Sequence, residues 1–376
     1  MNKTSIQWTD YSWNPLLGCR RVSRGCGDHT GGGCYAERLI AVRMSKNSKL
    51  PLYHDLARLT PKGQPQFTGV RKLVPDRLDE PLRARKGRKI FVCDMGDLFY
   101  EGHPFEDIAA VWGVMAAAHW QTFQVLTKRP ERALEFLTWL AKRATDGLRL
   151  FPYDSEQWRM RQLFVGTLSK LGVEMPRNVS PHDGPDPAWP LPNVHIGVSV
   201  EDQAAADRRI PLLLRIPAAL RFLSCEPLLE AVDLTPWMPA GHCAWECAGC
   251  KRMFSGRWQE RCPHCQKEGY WCGSHGGNGR PNGQPIGWVI SGGESGPGAR
   301  PFDLAWARSL LDQCHAAGVP YFVKQLGARP VQNVAQHAQH GPLGVLQDKH
   351  GGIMDEWPLD LRVREFPRVE VHHAAT

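Results

Sequence analysis

The sequence predicts an α/β protein built on a parallel sheet and interrupted by one inserted module. Two observations predict it. Short apolar runs that end in polar residues recur along the chain, with helical-period segments between them. Strands alternating with helices in this way argue for a parallel sheet of βα units. The second observation is a pair of C-x-x-C knuckles, Cys247/Cys250 and Cys262/Cys265, lying between the fourth and fifth apolar runs. About six βα units suit a partial TIM-like (β/α)6 barrel. An open doubly wound sheet is the alternative, and periodicity alone does not separate the two.

The elements follow in order. A helix is expected over Tyr35–Met44, after a Gly-rich polar loop. Residues 38–89 hold Pro51, Pro61, Pro65, Pro75 and Pro81 and a basic run, Arg83 to Lys89, which reads as a surface flap. Lys89–Asp94 is the first clear strand, apolar and then polar, as a buried parallel strand reads. Phe105–Trp120 has helical spacing. Phe123–Thr127 is a strand, and Pro130–Arg143 a helix with Pro in its favoured first turn. Arg149–Gly172 reads as a helical extension and Ser180–Pro192 as a loop. The alternation then continues with strand Val194–Val198, helix Glu201–Arg215, strand Arg221–Cys225, strand Trp288–Ser291, helix Leu304–Ala317 and strand Tyr321–Val323. The expected organisation is 1–235 and 287–330 for the α/β body, 236–286 for the insert and 331–376 for a loosely packed C-terminal extension. The tail His372–Thr376 is expected to be disordered.

Three cysteines, Cys19, Cys26 and Cys34, fall within sixteen residues of the Gly-rich loop. A closed structural zinc site takes four ligands, and protein iron–sulfur clusters most often take four cysteines. Three in one loop implies a cluster with one open iron, or a metal site completed by a distant residue such as His29. Their sulfurs are expected to meet facing Asp94 and Glu294. The knuckles Cys247-x2-Cys250 and Cys262-x2-Cys265 have zinc-ribbon spacing, each bringing two thiolates to one tetrahedral Zn2+. Lys251, Arg252, Arg257, Trp258, Arg261 and Trp271 mix charge with rings, a combination that grips nucleic acid or merely surrounds a structural knob. Cys93, Cys225 and Cys314 read as core thiols.

In parallel α/β folds, sites lie at the C-terminal ends of strands. Those ends carry Asp94 and Asp97, Lys128 and Arg129, Ser199 and Glu201, Glu226, Glu294 and Lys324. One polar strand end is turn chemistry; a series of mixed sign argues for a functional face. Gly292-Gly293-Glu294-Ser295-Gly296 either brings backbone N–H groups to an anionic ligand or forms a tight turn.

The chain has 376 residues, 14 tryptophans and no run of 18 apolar residues, so no membrane span is expected. Its N-terminus lacks an apolar signal core. Nine of twelve cysteines fall in two local groups, which fits metal binding in a reducing cytoplasm better than disulfides. Residues 1–90 hold 18 Lys/Arg against 7 Asp/Glu, net +11; the remainder holds 28 against 31, net −3. A basic region beside a reactive loop points to a polyanionic partner or to a solvated basic surface.

The segments Trp13-Asn14-Pro15, Gly18-Cys19, Gly25-Cys26 and Cys34-Tyr35-Ala36-Glu37 resemble a phage-associated family with a three-Cys motif. So do Asp94 to Phe99, Leu126 to Pro130, Gly197 to Glu201, Glu226-Pro227-Leu228 and Gly292 to Gly296. The resemblance spans roughly residues 5 to 330, and the family is similar to radical S-adenosylmethionine (SAM) enzymes. This implies a partial barrel of radical SAM type. Cys19, Cys26 and Cys34 would hold a [4Fe-4S] cluster whose open iron binds SAM. Asp94, Asp97, Ser199, Glu201, Glu226, Gly292, Gly293 and Glu294 would position SAM or substrate; a Gly-Gly-Glu segment engages the SAM amino group in radical SAM enzymes, though there it follows an early strand. No catalytic residue is singled out. The family's spacing resembles C-x6-C-x2-C, whereas this chain has C-x6-C-x7-C, with a Gly-rich insert around Asp28 to Gly33 that can loop out. The implied activity makes a 5′-deoxyadenosyl radical to modify a nucleic acid base or nucleotide, with an electron donor and a three-Cys-motif partner protein. A non-redox, zinc-dependent nucleic-acid-binding protein is the alternative. A metal-dependent nuclease using the acidic strand ends is a third reading, which no compact acidic motif supports.

Overall fold

The structure is a computed structural model. It describes residues 1–28, 31–146, 190–238, 243–247, 253–256, 271–272, 286–333, 339–340 and 343–367. An eight-stranded sheet forms the centre. Its strands are β1 (Asn2–Lys3), β2 (Tyr11–Trp13), β3 (Lys89–Val92), β4 (Thr122–Thr127), β5 (Val194–Ser199), β6 (Leu220–Cys225), β7 (Ile286–Gly292) and β8 (Tyr321–Gln325), each bonded to the next. β1 is antiparallel to β2, and β2 to β8 are all parallel. The six expected strands are therefore present. The seventh parallel strand, β2, was not expected: three residues are too few to show a period. Its register with β3, Tyr11 to Ile90 and Trp13 to Val92, is set across about eighty residues of chain.

Four long helices cover the sheet: α2 (Phe105–Ala117), α3 (Pro130–Asp146), α4 (Gln203–Arg215) and α5 (Leu304–Ala317). A shorter α1 (Tyr35–Leu39) runs on as a π-helical turn, Ile40–Met44. α4 starts two residues later than expected because Asp202 caps it, accepting from the Ala205 N–H at 2.8 Å. α5 keeps its expected bounds, capped by Asp303 and stopped by Gly318 at φ 68°. Ile108 and Trp112 of α2, Phe136 of α3, Ile210 of α4 and Leu310 of α5 share one core with Val92, Val125, Ile196, Val289 and Val323. An open doubly wound sheet reverses its strand order and carries helices on both faces. Here the order never reverses.

The other face packs on itself. Phe91, Leu126, Phe222, Trp288, Ile290 and Phe322 gather around Trp8. The Trp8 ring lies 4.8 Å from Phe91 on β3 and 6.3 Å from both Phe222 on β6 and Trp288 on β7. Strands four apart in a flat sheet stand roughly 19 Å apart, so one ring reaching both sides requires the sheet to curl. Each buried ring contributes about 1.5–3 kcal/mol.

The C-terminal extension is not loose, contrary to expectation. Trp357 and Leu361 are in the main core, Arg308 pairs with Asp360 at 2.6 Å, and 363–366 runs along β8. Phe366 lies 5.2 Å from Phe322 and 5.7 Å from Trp288, with the Lys89 ammonium 4.1 Å above its ring. The flap also has more structure than a surface loop. Ile40, Tyr53, Leu56, Ala57 and Phe67 form a second core with Leu17, Ala36 and Met95, around a hairpin of Ala57–Leu59 and Pro65–Phe67.

Within the insert, Met253–Gly256, Cys243–Cys247 and Trp271–Cys272 make a three-stranded antiparallel sheet. Cys247 ends its middle strand. The other expected zinc ligands, Cys250, Cys262 and Cys265, lie outside the described residues, as do His29, Arg149–Gly172 and His372–Thr376. Cys93, Cys225 and Cys314 are buried, as expected. No helix among the described residues is long and apolar enough to cross a membrane.

Candidate metal centre

The three-Cys loop leaves the C-terminal end of β2. Asn14, the first residue after the strand, ties it to the end of β3. Its side-chain amide donates to Asp94 at 2.5 Å, and its carbonyl oxygen accepts from the Met95 N–H at 3.0 Å. Gly18 then bridges Gly96. Gly18 has φ 113°, and a Cβ there would stand 2.3 Å from the Val70 carbonyl, so no other residue fits. Cys19 follows directly. Cys26 ends a 3-10 turn, Arg24–Cys26, and Cys34 precedes α1. Between them the insert doubles back, since Asp28 and Gly31 exchange backbone hydrogen bonds at 3.2 and 3.3 Å.

All three cysteines are free thiols and partly exposed residues, yet their sulfurs point into the protein. Burial pushes the Cys19 thiol up to about 12; Asp97 adds to this and Arg129 opposes it. Burial pushes Cys34 up to about 11. Cys34 feels the charge of Cys26, and Cys19 feels that of Cys34, so the three thiols sit within electrostatic reach of one another. Each also has a cation in reach: Arg129 for Cys19, Arg21 for Cys26 and Cys34, and Lys128 for Cys34. The sulfurs gather, but among the described residues no three His, Cys, Asp or Glu groups close around a single ion. Thiolates of a cubane bind separate irons and stand farther apart than ligands of one ion.

The polar strand ends do reach this loop, by a route the sequence did not indicate. Asp94 accepts from Asn14 and from the Tyr35 hydroxyl at 2.6 Å. Asp97 accepts from Thr127, from the Phe99 and Lys128 N–H groups and from Arg129 at 3.1 Å. Arg129 continues to the Cys19 sulfur at 3.4 Å, the Arg20 carbonyl at 2.8 Å and Glu101 at 2.8 Å. Ser199 accepts from the Lys128 ammonium at 3.1 Å, and Glu226 from that of Lys324 at 2.5 Å.

Glu201 and Arg209 form a wholly buried ion pair at 2.7 Å. Burial alone would raise the Glu201 carboxyl, but Lys128 and Arg209 overcome it and hold it near about 2. A Cβ on Gly25 would come within 3.0 Å of Glu201, so this carboxylate is pressed against the turn that delivers Cys26. Glu294 accepts from the Gly33 N–H and three times from Arg300, each at 3.0 Å. Arg300 in turn donates to the Arg24 carbonyl at 2.7 Å. Gly292 and Gly293 do not present free N–H groups as a ligand cradle would. Gly292 pairs with Gln325 in the sheet, and the Gly293 N–H donates to the Gln325 carbonyl. Gly293 is required because a Cβ would meet the Leu326 carbonyl at 2.3 Å.

Sequence reasoning missed Asn14, Glu37, Arg209 and Arg300. Glu37 is fully buried and joins Arg21 at 2.8 Å to the Phe67 N–H at 3.0 Å, fastening the flap to the loop. Arg209 lies two helical turns beyond Glu201 and Arg300 six residues beyond Glu294. Opposite charges at those spacings were the available signal.

A family model described as a protein of unknown function, DUF5131, matches residues 3–357. The chain belongs to the DUF5131 family. The DUF5131 match runs through the three-Cys loop, the flap, all seven parallel strands and the insert. No curated protein and no solved structure matched the chain.

Proposed function

We propose that this DUF5131 chain is a radical SAM-like iron–sulfur enzyme acting on a nucleic acid base or nucleotide, on a partial barrel of radical SAM type. The observation that carries it is the grouping of three thiols, each with its own cation, at the C-terminal ends of sequentially ordered parallel strands. The unreversed strand order, the helices packed on one face and the curl around Trp8 support the barrel reading, with seven parallel strands in place of six.

The donor set fits the group. Sulfur suits iron–sulfur clusters, three thiolates leave one iron open, and Arg21, Lys128 and Arg129 offset the negative charge that thiolates and cluster bring. When bound, the cluster would pass one electron, taken from an electron donor, into SAM; the C5′–S bond breaks to give methionine and a 5′-deoxyadenosyl radical, which becomes 5′-deoxyadenosine by taking a hydrogen atom from the substrate. The chain's own part is to bind, orient and exclude water. Glu294 with Arg300, Glu201 with Arg209, and Asp94 with Asn14 and Tyr35 hold the loop's three corners. With those carboxylates engaged, Lys128, Lys324 and Tyr35 are the groups nearest the mouth for SAM or substrate. The insert is proposed as a zinc ribbon, and the protein as cytoplasmic, working with an electron donor and a three-Cys-motif partner protein.

Anaerobic reconstitution with iron and sulfide tests the reading. About four irons per chain are expected, with a reduced-state EPR signal that SAM perturbs. A protein that takes up zinc alone at the three-Cys loop would support the non-redox alternative instead.

A further inference from the structure

We infer that the flap, residues 38–74, is the docking face for a single-stranded polynucleotide, and that Tyr35 receives one of its bases at the mouth of the three-Cys loop. The inference takes its substrate class from the proposed function but does not depend on a cluster being bound.

The flap holds eight Lys/Arg and one acidic residue, Asp55. Three of the eight are occupied: Arg38 donates to the Pro297 carbonyl, Arg71 pairs with Asp107, and Lys72 donates to the Leu52 and His54 carbonyls. The other five, Arg43, Lys46, Lys49, Arg58 and Lys62, are exposed and have no carboxylate partner among the described residues. Five unpaired like charges on one small subdomain repel one another, and a polyanion relieves that repulsion. The rest of the chain beyond residue 90 is net negative, so the field is local to the flap.

Charge alone describes any polyanion; the flap's other features narrow the choice. Val42, Leu59 and Val70 are exposed among the cations, and Tyr35 is 50% exposed. Apolar and aromatic surface between cations suits bases as well as phosphates. Position adds the rest. The flap's inner core packs against Cys19 and Cys34, so its outer side adjoins the mouth. The Tyr35 hydroxyl is turned in, donating to Asp94, while its ring meets solvent. A base inside a duplex cannot reach partly buried sulfurs, whereas an unpaired or extruded base can.

Fluorescence anisotropy of the reconstituted full chain with labelled single-stranded DNA and RNA, across a salt series, tests this. Five phosphate contacts give a log–log slope of about −3.5 and about a hundredfold loss between 50 and 200 mM salt. The reversal R43E/K46E/R58E/K62E should weaken binding at least tenfold and flatten the slope by about 3. The control R215E/K349E, two exposed cations outside the flap, should leave binding unchanged; equal loss in both variants would overturn the inference. A strand carrying 2-aminopurine should be quenched by wild type and by Tyr35→Phe, but not by Tyr35→Leu. Binding to anionic vesicles with no quenching of the base analogue would overturn it in favour of a lipid surface. Iron content separates the two readings. A chain with about four irons that ignores the strand loses the docking face and keeps the cluster; a chain that binds the strand without iron does the reverse.

Discussion

Arg129 and Cys19 stand 110 residues apart in sequence, and the guanidinium Nη1 lies 3.4 Å from the sulfur. The same side chain is 4% exposed and held by Asp97, Glu101 and the Arg20 carbonyl, so its direction is imposed. A fixed N–H donor beside a cluster ligand stabilises the more negative, reduced state.

Replacing Arg129 by Lys or Gln is therefore expected to lower the cluster's reduction potential. The expected size is on the order of 60 mV, a tenfold change in a one-electron couple. Potentiometric titration followed by EPR measures it. Variants that keep their iron and their wild-type potential would show that the contact only braces the loop.

Glu294→Ala separates loop-holding from SAM-binding. Losing the acceptor of Gly33 and Arg300 should loosen the Cys34 side of the loop, cut iron content and speed Cys34 alkylation in the metal-free chain. Full iron content with loss of the SAM-induced EPR change would assign Glu294 to SAM instead.

Arg209→Met leaves Glu201 charged and buried beside the Cys26 turn. Breaking such a pair costs about 3–5 kcal/mol. Chemical denaturation should show this loss, and the double variant E201M/R209M should recover part of it, because no unpaired charge remains.

Stability should fall as pH drops from about 6.5 to about 4. Burial lowers both His103 and His195 to about 4. Both His103 ring nitrogens and the His195 Nε2 are buried without a hydrogen-bond partner among the described residues. The sign follows from proton counting. Between pH 4 and 6.5 the unfolded chain binds protons at these rings and the folded chain does not, so acid favours unfolding, by at most about 1.4 kcal/mol per pH unit per histidine. Glu201 extends the trend below pH 4.5, as its stabilisation is lost towards its own lowered value. Melting temperature against pH measures the slope, and H103Q/H195Q should flatten it above pH 4.5.

The insert should bind zinc independently of the cluster. Metal binding and folding are coupled in four-cysteine modules, with site energies on the order of 10 kcal/mol. Cys250→Ser should lose one zinc per chain and keep its iron; full zinc retention would rule the ribbon out.

The six longer parallel strands, the four long helices and the two cysteine groups were legible in the sequence. Alternation of strand and helix is a local property, carried by side chains two to four residues apart. The α5 bounds, Leu304–Ala317, were readable because Gly318 stops the helix locally, and the charge asymmetry of residues 1–90 needed only counting. What tertiary structure decided is the set of partners. Tyr11–Trp13 is a strand because β3 lies beside it, the C-terminal segment is core because Trp357 and Leu361 find an apolar face, and Asp97, Glu201 and Glu294 turn to Arg129, Arg209 and Arg300. The sequence placed charged groups at the strand ends. Which of them face a ligand and which brace the loop depends on the meeting of segments up to 261 residues apart, as with Gly33 and Glu294. Those meetings follow from how the sheet curls and where each crossover returns, and no local pattern encodes them.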